Sequence, residues 1–115
     1  MIQGYSFGEI KVGNECFNHD VYLNCQGQAI PWQRQTSHWI DLNDIKEFLE
    51  EKPDIVIIGT GKWGVAKVSE KVFEWAKEEG INLIVEKTSL AVQKYNELIS
   101  KESKAKIVGF FHLTC

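Results

Sequence analysis

The sequence has one arginine, two prolines and three cysteines, and its formal net charge is −3. With twelve lysines but only Arg34 for bidentate phosphate contacts, nucleic-acid binding is disfavoured. No apolar run approaches the about 18 residues that cross a bilayer, and residues 1–5 lack the pattern of a signal peptide. An odd number of cysteines without paired spacing disfavours a disulfide framework. We therefore expect a cytoplasmic protein with free thiols and without nucleic-acid or membrane partners.

The composition is that of an ordinary folded domain. Apolar residues make up 43% of the 115 residues and charged residues 25%, close to the averages for globular proteins. A chain of this length buries enough surface to fold without disulfides or metals. We expect one domain over residues 1–115.

The first third of the chain has the two-residue period of β-strands. Apolar residues alternate over residues 5–12 and 21–25, and Gly13-Asn14 between them is typical of a hairpin turn. A further short strand over residues 29–32 contains Pro31, which is tolerated at an edge or a strand start. This pattern predicts an N-terminal β-meander.

The rest of the chain alternates helical and strand patterns. A helix is predicted from Asp41 until Pro53, followed by strand 55–58, helix 69–79, strand 81–85, helix 88–100 and strand 106–113. Because strand 55–58 is apolar throughout, both faces of its sheet should be covered. The fold class is therefore α/β, a single three-layer domain with a mixed β-sheet, a βαβαβ core and the N-terminal β-meander.

Both longer helices should bury one stripe against this sheet. The first stripe consists of Val72, Phe73, Trp75 and Ala76, and the second of Ala91, Val92, Tyr95, Leu98 and Ile99.

The run from Gly59 to Gly64 has the glycine spacing of a dinucleotide fingerprint, and Glu86 stands twenty-two positions later. In that fingerprint the helix starts at the third glycine, whereas here the helical pattern starts only near Ser69 and Trp63 adds bulk to the loop. A structural strand-to-helix turn is the preferred interpretation. Lys62 precedes the last glycine, so the run is not a phosphate-binding P-loop either.

A smaller role in ligand binding stays open for this loop, because consecutive backbone N–H groups beside a lysine can hold a small anion. The candidate residues for that site are Gly59, Thr60, Gly61, Lys62, Thr88 and His112.

The sequence offers two further groups of reactive residues. His112 and Cys115 could form a nucleophile pair, but along a continuous strand they would point to opposite faces about 10 Å apart. A core histidine and an inert thiol are favoured, with redox sensing by Cys115 as an alternative. Cys16, His19 and Cys25 do not complete a tetrahedral metal set. We assign no catalytic residue, metal or cofactor.

An aromatic and polar cluster follows the meander. It contains Trp32, Arg34, His38 and Trp39, and Trp63 is a further candidate for an exposed aromatic residue. Tryptophan and arginine are enriched at interface hot spots, so these five residues are candidates for a partner-binding surface. The alternative is that the cluster caps the core.

Several short motifs together resemble a known family. They are Ser6-Phe7-Gly8, Asp20-Val21, the glycine loop, Gly80-Ile81, Thr88-x-x-Ala91-x-x-x-Tyr95-Asn96 and His112-Leu-Thr-Cys115. The chain is similar over nearly its whole length to the Mth-domain family, which includes the adipogenesis-associated Mth-domain protein and a mitochondrial assembly factor of respiratory complex I. The resemblance implies a compact three-layer α/β domain with a mixed sheet and a β-meander, without established enzymatic activity or cofactor.

Two functional hypotheses follow. The first is a non-enzymatic module that binds a protein partner, forms a homo-oligomer or assists assembly, because no coherent set of acid, base and nucleophile is present. The alternative is an enzyme or sensor that binds a small anion or phosphate ligand through the loop from Gly59 to Gly64.

Overall fold

The computed structural model describes residues 1–36, 38–101 and 104–115. Ten strands and three helices follow in the order β1 (Ile2–Ser6), β2 (Glu9–Val12), β3 (Glu15–Phe17), β4 (Val21–Leu23), β5 (Ala29–Pro31), β6 (Trp39–Ile40), α1 (Leu42–Lys46), β7 (Ile55–Thr60), β8 (Lys67–Val68), α2 (Glu70–Glu79), β9 (Asn82–Glu86), α3 (Thr88–Ser100) and β10 (Ile107–His112).

The main sheet has five strands in the order β5-β4-β10-β7-β9. Strands β10, β7 and β9 run parallel, while β4 pairs antiparallel with β10 and with β5. The segments β7-α2-β9-α3-β10 form the βαβαβ core, and β1-β2-β3 form a separate antiparallel meander. The predicted fold class is thus confirmed.

The boundary of the meander differs from the sequence prediction. Strands β4 and β5 do not continue it but enter the main sheet. The reason lies in β4, which is buried on both faces: Tyr22 points to one core cluster, and Val21 and Leu23 point to the other. A strand that is apolar on both faces is stable only inside a sheet covered on both sides.

Two hydrophobic clusters make the sheet the middle of three layers. On one face Val56, Ile58 and Phe110 pack with Ile45 of α1 and Val72 of α2. On the other face the core is formed by α3 and the meander over the sheet, through Ile2, Ile10, Ile57, Ala91, Tyr95 and Phe111. The alternation along β7 and β10 therefore supplies both cores from the same strands.

Helix α2 begins at Glu70, six residues after Gly64, and ends at Gly80, which adopts a left-handed conformation with φ 68°. This start confirms the predicted delay between the glycine loop and the helix. Val72 and Ala76 are buried as expected, but Phe73 is exposed. At 100° per residue Phe73 falls on the margin of the buried stripe, and the prediction for it was wrong.

Helix α1 is shorter than the sequence suggested. Asp41 caps it, and the Asp41 and Asp44 side chains form a reciprocal capping box. After Lys46 the backbone continues in tighter turns, in which Phe48 N–H donates to the Ile45 carbonyl. Strands β6 and β8 form a two-stranded parallel pair. Neither the spacing of apolar residues nor the turn residues in the sequence predicted this pair.

Candidate functional site

The carboxyl ends of β7, β9 and β10 meet at one edge of the main sheet. The glycine loop follows β7, α3 follows β9 and residues 113–115 follow β10. In open α/β sheets this is the edge at which ligands bind. All six residues predicted for an anion site lie at this edge, which we call the carboxyl edge.

Thr88 links the three segments at the carboxyl edge. Its hydroxyl donates to the His112 carbonyl over 2.6 Å and accepts from the Gly61 N–H over 2.8 Å. A Cβ added to Gly59 would lie 2.8 Å from the Thr88 Oγ1 atom, closer than ordinary contact. Gly59 is therefore needed for the close approach of α3, and Thr88 acts as a structural junction.

Two further loop amides bond to the 113–115 segment. Lys62 N–H donates to the Thr114 carbonyl over 2.7 Å, and Val65 N–H donates to the Cys115 carbonyl over 3.1 Å. Donors that already hold carbonyls of the chain are not aimed at an external anion. The loop is therefore a docking point for the 113–115 segment, and two of the donors that an anion site would need are occupied by the chain itself.

Gly61 makes that docking possible. Its φ of 102° lies in the region that residues with a Cβ rarely adopt, and an added Cβ would lie 2.6 Å from the Cys115 carbonyl oxygen. Both the backbone angle and the space thus require glycine at this position.

The same segment ties the meander to the carboxyl edge. The Leu113 carbonyl accepts from the Gly8 N–H over 2.9 Å and from the Tyr5 hydroxyl over 2.9 Å. Residues 113–115 are thus bonded on one side to the turn between β1 and β2 and on the other to the glycine loop.

A buried ionic cluster fixes the end of β10. The Asp20 carboxylate accepts from His112 Nδ1 over 2.7 Å, from Arg34 Nη1 over 2.8 Å and from the Leu113 N–H over 2.8 Å. The Arg34 and His112 side chains are each 3% exposed and that of Asp20 is 16% exposed. The Arg34 guanidinium also lies 4.3 Å from the centroid of the Trp32 ring. We call Asp20, Arg34 and His112 the ionic cluster.

The contacts of His112 indicate its tautomer. Nδ1 lies 2.7 Å from an Asp20 oxygen and 3.0 Å from Arg34 Nη2. Guanidinium can only donate and carboxylate can only accept, so these two contacts cannot both be hydrogen bonds to Nδ1. The shorter contact, to the carboxylate, places the proton on Nδ1. Nε2 then faces the Thr114 hydroxyl at 3.5 Å, too long for a strong bond.

Asp20 remains ionised within this cluster. Burial alone would raise the pKa of its carboxyl, but the bonds from His112, Leu113 N–H and Arg34 outweigh burial and hold the pKa below its usual value. The arrangement holds one carboxylate among three donors and keeps the imidazole away from solvent. This geometry indicates a structural role, in which the cluster fixes the end of β10.

Sequence reasoning did not single out Asp20 for this role, although Asp20-Val21 was among the family motifs. The sequence nevertheless contains one indication that Asp20 must be paired. Asp20 immediately precedes the doubly buried strand β4, and a carboxylate at such a position must find partners. The sequence holds one arginine and three histidines as candidates.

The residues predicted for a partner-binding surface divide into two groups. Trp63 is 58% exposed and Trp39 is 47% exposed, and His38 is exposed as well. Trp32 is only 3% exposed, and the Arg34 side chain is held by Asp20. For Trp32 and Arg34 the structure corrects the expectation of a surface role.

The burial of Trp32 has a packing cause. Its ring meets Phe110 edge-on with centroids 5.2 Å apart, and its Nε1–H donates to the Asp44 carbonyl over 2.9 Å. A buried indole needs such a partner for its N–H. Trp32 therefore caps the core, which was the alternative considered for the cluster.

The two exposed tryptophans lie in different settings. Trp63 packs against Phe7 with ring centroids 5.3 Å apart, and Lys62 Nζ lies 5.6 Å from the Trp63 centroid. Trp39 is part of β6 and borders a cleft of 460 Å³ that Thr36, Asp41, Asn43, Asp44 and Glu47 also line. We call this the Trp39 cleft.

The three cysteines differ in exposure. Cys16 is exposed, and Cys25 and Cys115 are half-buried, all with free thiols. Within residues 1–36, 38–101 and 104–115, no three histidine, cysteine or acidic side chains are placed to hold a metal ion. In the same ranges no helix has the length and apolar character to cross a bilayer.

Comparison with known proteins adds the family. Residues 2–112 match the family described as "Protein of unknown function (DUF498/DUF598)". Among solved structures, the conserved hypothetical protein PH1505 from Pyrococcus horikoshii superposes with a TM-score of 0.88 and 24% identity, over 100% of this chain and 99% of that one.

Two more structures share the fold. A protein named MT938 has a TM-score of 0.82 and 24% identity, over 100% of this chain and 98% of its own. A Mth938-like domain from Bordetella pertussis has a TM-score of 0.74 and 17% identity, over 98% of this chain and 85% of its own. The chain therefore belongs to the Mth938-like domain family, DUF498/DUF598, whose function is unknown.

Proposed function

We propose that this chain is a cytoplasmic, non-enzymatic module that binds a protein partner through its exposed tryptophans. The observation that carries the proposal is the exposure of Trp39 and Trp63, 47% and 58%, on well-fixed backbone. Tryptophan is among the residues most enriched at interface hot spots. An indole held exposed on a fixed backbone loses little conformational entropy when it binds.

The fixed backbone is visible at both positions. Trp39 pairs in register with Lys67 in the β6-β8 ladder. Trp63 lies between Lys62 and Val65, whose N–H groups bond to the 113–115 segment. Both tryptophans therefore lie on backbone that is fixed by hydrogen bonds.

The geometry of the ionic cluster supports a non-enzymatic role. Its carboxylate is committed to three donors, and its imidazole is buried with the Nδ1 proton held by Asp20. A general base must reach the proton that it abstracts, directly or through one water molecule. The cluster fits an architectural function better than a catalytic one.

Affinity purification with the Trp39→Ala and Trp63→Ala variants tests this proposal. We expect at least one of them to lose a specific partner by about thirtyfold or more in affinity, the usual effect of a tryptophan hot spot. Leu90→Ala is the matched control, because Leu90 is also an exposed apolar residue and should retain the partner. Light scattering in parallel identifies a partner that is a second copy of the chain.

The proposal is rejected if wild-type protein forms no specific complex, or if both tryptophan variants keep every partner at unchanged affinity. Unchanged melting temperatures of the two variants exclude unfolding as the cause of a loss.

A further inference from the structure

The Trp39 cleft carries a charge pattern that the proposed function does not use. Asp41, Asp44 and Glu47 line the cleft together with Trp39. Trp39 and Asp41 also border a second depression, which Glu70 and Glu74 line. One exposed indole therefore borders two depressions whose linings include five carboxylates.

The positive charges near Trp39 do not cancel these carboxylates. Arg34 also lines the cleft but is already paired with Asp20. Lys71 borders the second depression, and Lys67 is the register partner of Trp39. The five carboxylates that line the two depressions thus outnumber the nearby positive charges. Those charges are Lys67, Lys71 and Arg34, of which Arg34 is already paired with Asp20.

Two of these carboxylates, those of Asp41 and Asp44, are held in place by hydrogen bonds. Asp41 accepts from the Leu42 N–H over 2.8 Å and from the Ser69 hydroxyl over 3.0 Å. Asp44 accepts from the Asp41 N–H over 2.8 Å. These bonds join the start of α1 to the residue before α2 and fix the wall of the cleft beside Trp39.

We propose that the Trp39 cleft is a docking site for a lysine- or arginine-bearing segment of a partner protein, with the cationic side chain on the face of Trp39. This inference rests on the proposed function and specifies the partner's chemistry. An indole face attracts a cation through its quadrupole, and the surrounding carboxylates add Coulomb attraction. The same charges repel the phosphates of a nucleic acid and the headgroups of an anionic membrane.

The cleft volume of 460 Å³ lies within the range of sites that enclose a drug-sized group. Electrostatic complementarity of this kind mainly directs association and partner choice, and it weakens with added salt.

Selection of random twelve-residue peptides displayed on phage, with the wild-type chain as bait, tests the inference. We expect lysine and arginine to be enriched in the bound peptides relative to the starting library. A selected peptide, labelled for fluorescence anisotropy, should lose about tenfold or more in affinity for Trp39→Leu, which keeps an apolar side chain but lacks the aromatic face.

Removing negative charge beside Trp39 and measuring peptide affinity again provides a second test. The double variant Glu47→Gln/Glu74→Gln should bind the peptide about three- to tenfold more weakly. The matched control Glu78→Gln/Glu79→Gln removes the same charge from exposed positions at the end of α2 and should bind as the wild type does. Raising the salt concentration should weaken wild-type binding and narrow the difference between the two double variants.

Peptides without lysine or arginine enrichment that depend on Trp63 would overturn this inference while leaving the proposed function standing. Equal affinities of the two double variants would also overturn it. Failure to select any peptide, or peptide binding that Trp39 does not influence, would overturn this inference, whereas the proposed function is rejected only by the affinity purification described for it.

Discussion

Replacing Asp20 with asparagine is expected to lower the free energy of unfolding by about 2–4 kcal/mol at neutral pH. The substitution keeps the size of the side chain but removes the charge that compensates Arg34, whose side chain is 3% exposed. It also replaces an acceptor of the His112 Nδ1–H and the Leu113 N–H with an amide that cannot accept at both ends. Urea denaturation measures the difference.

The matched control is Asp54→Asn. Asp54 also accepts from a backbone N–H, that of Lys106, but it is exposed. We expect this change to cost less than about 1 kcal/mol. Equal losses for the two variants would contradict a special role of the ionic cluster.

The contribution of Asp20 to the free energy of unfolding is expected to depend on pH. The pKa of Asp20 in the folded chain is below its usual value, so its stabilising contribution is fully present above the unfolded-state pKa of about 3.9. The contribution is lost as the pH falls through the folded-state pKa. Wild type and Asp20→Asn should therefore approach each other in stability as the pH falls below about 4, and a difference that stays constant would contradict this account.

Replacing Gly61 with alanine is expected to cost about 3 kcal/mol or more. Alanine would be strained at a φ of 102°, and its Cβ would lie 2.6 Å from the Cys115 carbonyl oxygen. The control Gly13→Ala separates the two effects, because Gly13 has a φ of 59° but nothing within 4 Å of an added Cβ.

The control should cost only the backbone term, about 1–2 kcal/mol. Thermal and urea unfolding of both variants provide the comparison. If Gly61→Ala costs no more than Gly13→Ala, the 113–115 segment does not pack against the glycine loop as described.

Long periodic elements were predictable from the sequence. Helix α3 spans Thr88–Ser100, as its apolar spacing predicted, and α2 begins after Ser69 because the buried stripe starts there. These elements follow from patterns within ten or more consecutive residues. The short pair β6-β8 has two residues in each strand, too few for any period to show.

The pairing of residues in the ionic cluster could not be predicted from the sequence for a different reason. Asp20 lies 14 positions from Arg34 and 92 from His112, so only the folded topology brings them together. The same holds for Trp32 and Trp39, which are seven positions apart with opposite burial. No local pattern in this irregular segment distinguishes an indole that caps the core from one that faces solvent.

In the glycine loop, the N–H groups of Gly61, Lys62 and Val65 are held by the chain itself. Amide hydrogen exchange of Gly61, Lys62 and Val65 tests it most directly, because their acceptors are the Thr88 hydroxyl and the carbonyls of the 113–115 segment. The account predicts slow exchange of all three in the free protein, unchanged by phosphate or sulfate. Fast exchange in the free protein that either anion slows would contradict it and identify an open anion cradle.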